Sequence, residues 1–100
     1  MNASIAIQVL PKTADREETL RIVDRVIAYI KGFGLQTEVG PFETTVEGDY
    51  ETLMEIVKGC ALICVEAGAP SVMSFVKINY APGCLLSMEE KTAKHREGRS

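Results

Sequence analysis

Tryptophan is absent from this 100-residue sequence, histidine occurs once, and cysteine three times. The single histidine, His95, lies far from the cysteines in a polar stretch, so no His/Cys set with metal-ligand spacing is present. The same scarcity leaves no Ser/His/Asp arrangement for nucleophilic catalysis. A phosphate-cradling P-loop and a Gly-x-Gly-x-x-Gly turn are also missing. Basic residues number 11 against 14 acidic ones, giving a formal net charge of −3. That balance excludes the electrostatic footprint of a nucleic-acid binder. No apolar run is long enough to cross a bilayer. The opening MNASIAIQVLP has no basic n-region, so it does not read as a signal peptide. An odd cysteine count without a dense framework fits a reducing compartment, and a cytoplasmic protein is expected.

What is present is a 46% hydrophobic content, enough for one compact core. Residues 4–10 alternate, with Ile5, Ile7 and Val9 on one face and Ala6, Gln8 and Leu10 on the other, and read as a strand that Pro11 ends. Asp15 followed three residues later by Glu18 predicts a helix N-terminus. Leu20, Val23, Val26, Ile27 and Ile30 recur at helical spacing, and Gly32 and Gly34 supply the stop. Residues 35–39 form a short strand, Gly40-Pro41 a tight turn, and residues 42–47 a third strand. Asp49 is expected to cap a second helix, striped by Leu53, Ile56, Val57, Cys60, Cys64 and Ala67. Gly59 inside that helix costs about 1 kcal/mol relative to Ala, and a close approach of another backbone would explain it. Gly68 and Pro70 end the helix, and residues 72–79 make the last strand.

The order β-α-β-β-α-β, joined by right-handed crossovers, predicts a ferredoxin-like α+β sandwich: a four-stranded antiparallel sheet with two helices on one face. The domain spans residues 1–82. Residues 83–100 form a tail, partly helical from a Ser87/Glu90 capping box or else disordered. Cys60 and Cys64, four apart on one helical face, are either half a metal site or core packing, and the burial habit of cysteine favours the core. Cys84, after Pro82-Gly83, is expected to be the more reactive thiol.

Two helices cover one sheet face only. The other face collects Gln8, Leu10, Glu38, Glu43, Thr45, Glu47, Met73, Phe75 and Lys77. Its apolar members suit a partner surface or a ligand, although a solvated sheet face gives the same pattern. Carboxylates accept hydrogen bonds from amino groups and offset positive charge, Thr45 donates or accepts, and Phe75 can stack on a cationic ring. The set Thr45, Glu47, Glu43, Gln8, Phe75 and Lys77 fits a small cationic heteroaromatic compound better than an acid. No metal and no catalytic residue are expected.

The stretch TTVEGDYETLMEIVKGC, with EAGAPSV, VKINY and the opening IAIQVLP, resembles the small thiamine-binding protein family, also called YkoF-like. The likeness covers residues 4–81 and rests on the T-x-x-E-G and E-A-G-A-P motifs. It implies a ferredoxin-like fold assembled as dimers or tetramers. It also implies binding of thiamine or its hydroxymethylpyrimidine part without chemistry on it, and a role in carrying or supplying that compound in the cytoplasm. Thr45 and Glu47 fall inside the matched motif. Phe42 and Glu43 stand where relatives often have Met and a small residue. The alternatives are a structural or regulatory oligomerisation module without a ligand, and a small enzyme with its active site on the same open face.

Overall fold

The alternation of aliphatic and small or polar residues after Asn2 produces the strand β1 (Ala3–Pro11), from which a computed structural model describes residues 2–83 as one αβ sandwich. It is followed by α1 (Arg16–Lys31), β2 (Gln36–Val39), β3 (Thr44–Gly48), α2 (Tyr50–Glu66) and β4 (Val72–Tyr80). The four strands form one antiparallel sheet in the order β2-β3-β1-β4, the ferredoxin-like arrangement. Register places Ile5 between Val46 and Ile78, and Ile7 between Thr44 and Val76, all on the helix-covered face.

Asp15 does cap α1: its Oδ1 accepts the Glu18 backbone N–H at 2.8 Å. The helix buries the row Ile22, Val26 and Ile30, spaced by four residues. Sequence periodicity put Leu20 in this row, but Leu20 is 52% exposed and Ile22, absent from the expected stripe, is fully buried. Two overlapping apolar rows lie on α1, and packing chose the one nearer α2. In α2, Leu53, Ile56, Cys60 and Cys64 are buried as the stripe predicted. Each fully buried aliphatic side chain of this core contributes roughly 1.5–3 kcal/mol.

Three local features differ from expectation. Asp49 occupies the N-cap position of α2 but makes no side-chain cap bond. Instead the Tyr50 N–H donates to Asn2 Oδ1 at 3.0 Å, from the chain segment just before β1. Strand β3 begins at Thr44, not at Phe42, because the Gly40 N–H donates to the Glu43 carbonyl at 2.9 Å and closes residues 40–43 into a turn. Gly59 faces no second backbone; the Tyr29 ring of α1 lies against it, in the space a Cβ would fill. The expectations for Cys84 and for the tail beyond residue 83 lie outside the described residues.

Candidate functional site

The sheet register assembles the open face in rows. Thr45 lies beside Glu38 on one side and Ala6 on the other, and Ala6 in turn opposes Lys77. One row further along, Gln8 opposes Phe75, and Leu10 opposes Met73 beyond it. In the other direction, Gln36, Glu47, Ser4 and Asn79 stand abreast. All nine residues expected on this face do occupy it or, for Glu43, the turn leading into it.

Because Ala6 is short, the middle of the face is a shallow trough. Lys77 reaches over it, its Nζ 3.2 Å from Glu43 Oε2. Both side chains are solvent-accessible, so this pair contributes only about 0–1 kcal/mol to stability and can be rearranged at little expense. Phe75 is 53% exposed and Met73 60%. Thr45 and Gln8 are half-buried, and Glu47 is buried.

The expected site residues therefore separate into two groups. Gln8, Glu43 and Phe75, with Lys77 and Thr45 alongside, gather near the β2–β3 turn. Glu47 lies in the row of Ser4, four residues from the row of Gln8. At about 3.4 Å per residue that separation is roughly 13 Å along the strand. A single ring cannot touch both ends; an elongated ligand is required to span them.

Two clefts flank the β2–β3 turn and share Val39, Gly40, Pro41, Phe42 and Glu43. On the open-face side, Glu38 and Thr45 complete a cleft of about 480 Å³. On the helix side lies a narrower cleft of about 210 Å³, lined by Ile7, Val9 and Thr44 from the sheet and by Val23, Val26, Ile27 and Ile30 from α1. Gln8 and Leu10 line it as well, although their positions in β1 put them on the open face. The register explains this. β1 pairs with β3 only from Ala3 to Ile7, so beyond Ile7 it has β4 on one side and the turn, not a strand, on the other. Sequence reading missed this cleft, since periodicity assigns residues to faces and says nothing of where pairing stops.

The cysteines of α2 play no part in either cleft. Both are buried, and burial, with Cys64 as a second cause, pushes the Cys60 thiol up to about 12. Burial also raises Cys64. Such thiols are poor nucleophiles and poor metal ligands. Among the described residues, no three His, Cys, Asp or Glu side chains are grouped to hold a metal ion.

The family model described as "Thiamine-binding protein" matches residues 5–96, running past residue 81, where the likeness carried by the motifs stops. The UPF0045 protein of Clostridium perfringens is 45% identical over 93 residues, covering 93% of this chain and 96% of that one. A solved domain of unknown function from Bacillus cereus superposes with a TM-score of 0.86 at 32% identity, covering 96% of this chain and 91% of that chain. A Thermotoga maritima structure, whose name provisionally places it in thiamine biosynthesis or salvage, gives a TM-score of 0.82 at 34% identity. It is covered over 100% of its length by 96% of this chain.

Proposed function

The chain belongs to the thiamine-binding protein family, and from that premise we propose that it is a non-catalytic, cytoplasmic binding protein for thiamine or its hydroxymethylpyrimidine part. The ligand is held at the open sheet face beside the β2–β3 turn, near a subunit interface, with Glu43, Thr45, Gln8, Phe75, Lys77 and Glu47 as its binding residues. The observation that carries this reading is the gathering of Glu38, Glu43 and Thr45 around one cleft with an exposed aromatic ring nearby. An aminopyrimidine offers N–H donors that a carboxylate accepts, and a thiazolium cation favours acidic and aromatic surroundings. The 13 Å span from Gln8 to Glu47 suits a two-ring molecule. Leu10, Met73 and Phe75, each about half exposed, are the surface a second copy would cover, and the nine-residue edge strand β4 offers a pairing edge.

Calorimetric titration of the full chain with thiamine and with hydroxymethylpyrimidine tests the proposal. Removing a charged acceptor costs about 1.5–3 kcal/mol, so Glu43→Gln and Glu47→Gln should each weaken binding roughly ten- to a hundredfold, and Thr45→Val less. No heat with either compound at millimolar concentration would sink the reading in favour of a ligand-free module. Light scattering in the same buffer should give at least a dimer.

A further inference from the structure

Away from the two clefts at the β2–β3 turn, the open face carries a third, of about 170 Å³, beside Ala6. Around that short side chain stand Ser4, Thr45, Lys77 and Asn79. The register explains the grouping. Ala6 pairs with Thr45 on β3 and with Lys77 on β4, while Ser4, one row on, pairs with Asn79. Two hydroxyls, a carboxamide and an ammonium therefore surround a methyl group, and no acidic side chain lines the cleft. Glu47 shares the row of Ser4 and Asn79, but it is buried and borders none of the three clefts. Among the described residues, Ser4, Thr45 and Asn79 make no side-chain hydrogen bond, and Lys77 pairs only with Glu43.

A donor-rich, carboxylate-free cleft complements a tetrahedral oxyanion. A phosphate monoester carries a charge of about −1.5 to −2 at neutral pH and three strong acceptor oxygens. A cavity of about 150 Å³ holds a benzene ring, so this cleft has room for a phosphoryl group. The neighbouring cleft at Glu38 and Glu43 has the opposite character, and Thr45 borders both. We infer that the ligand taken on this face is a phosphate monoester, with its amino or cationic ring at Glu38 and Glu43 and its phosphoryl group over Ala6, between Lys77, Ser4, Thr45 and Asn79. Resting on the proposed function, this assignment adds the chemical class of the ligand's far end. Lys77 couples the two ends. Its ammonium and the Glu43 carboxylate neutralise each other at 3.2 Å in a solvent-accessible pair that separates at little expense. A cation bound at Glu43 alone displaces Lys77 and leaves the ammonium without a counter-charge. A ligand with a cation at one end and a phosphate at the other exchanges one ion pair for two.

The test is calorimetric titration of the full chain with thiamine, thiamine monophosphate, hydroxymethylpyrimidine and its phosphate, and with inorganic phosphate as a fifth titrant. Each monoester should bind at least tenfold tighter than its parent alcohol, because it gains charge-assisted hydrogen bonds. Lys77→Met should erase most of that ratio, Lys77→Arg should keep it, and Asn79→Ala should reduce it. The ratio is the readout, so a general weakening of binding by a substitution does not count. Monoesters that bind no tighter than the alcohols, or a ratio that survives Lys77→Met unchanged, would overturn the inference while the proposed function stands. Inorganic phosphate binding as tightly as the monoesters would overturn it too, since the anion site would then be independent of the ring. No binding of any of the four organic compounds would remove the proposed function and the inference together. Should Lys77→Met fail to fold, the ratio in Asn79→Ala decides.

Discussion

Gly59→Ala isolates the contact that fixes α1 against α2. By helix propensity alone this substitution gains about 1 kcal/mol, since glycine in a helix interior is disfavoured by that amount. The added methyl, however, would overlap the hydroxyl, Cζ and Cε2 of Tyr29. That ring is not free to leave without loss. It makes an edge-to-face contact with Phe33, centroids 5.1 Å apart at 86°, and its hydroxyl donates to the Glu55 carbonyl at 3.4 Å. Forfeiting the aromatic pair costs about 0.5–1.5 kcal/mol, and the long hydrogen bond at most about 0.5 kcal/mol. Moving a packed side chain to admit a methyl costs about 1–3 kcal/mol in all, which includes those losses. The balance is a net destabilisation of about 1 kcal/mol.

In a Tyr29→Ala background the obstruction is gone, and Gly59→Ala should then stabilise by about 1 kcal/mol, a coupling of about 2 kcal/mol between the two sites. Urea unfolding followed by helical circular dichroism measures all four corners of the cycle, at one fixed protein concentration because self-association would shift the midpoints. If Gly59→Ala stabilises the wild-type chain as much as the Tyr29→Ala chain, the contact does not explain the glycine.

Two further outcomes follow from groups already described. The Cys60 thiol ionises near 8.5 when unfolded and is pushed up to about 12 when folded, so its contribution to stability is complete below about pH 8.5 and is lost as pH rises toward 12. Cys64 and Tyr29, both raised chiefly by burial, act in the same direction. Cys60→Ala should flatten the alkaline limb of a stability-against-pH curve, and an unchanged limb would refute the assignment. Asn2→Ala removes the acceptor for the Tyr50 N–H and should cost about 1 kcal/mol, read as a lower urea midpoint; Asp49→Ala should cost less, since its side chain makes no cap bond.

The sequence carried the fold because its signals were local. Ile5, Ile7 and Val9 alternate, Asp15 caps three residues ahead of Glu18, and Gly32 and Gly68 stop their helices within a turn of the last buried residue. Family motifs around Thr45 and Glu47 brought the family. Non-local choices were not legible. Asn2 serves Tyr50 across 48 positions, a pairing that neither residue's neighbours announce. The choice of Ile22 over Leu20 depends on where α2 lies. The start of β3 depends on one hydrogen bond in the turn, and a strand that begins two residues later is what leaves the gap beside Gln8.

The orientation of α1 ties these features together. Tyr29 fixes its second half to α2 through the Gly59 notch, and Arg21 fixes its first half by donating from Nη2 to the Ala67 carbonyl at 3.1 Å. Taking 100° per residue, Arg21 and Tyr29 lie on one side of the buried row Ile22, Val26 and Ile30, while Val23 and Ile27 lie on the other. A helix held to its neighbour on one flank at both ends presents its opposite flank to whatever β2 and β3 provide. β2 has only four residues, and Phe42 of the following turn is directed to solvent. Nothing in the described chain fills the space under Val23 and Ile27. The apolar cleft is therefore a consequence of how α1 is anchored and of how short the hairpin beside it is.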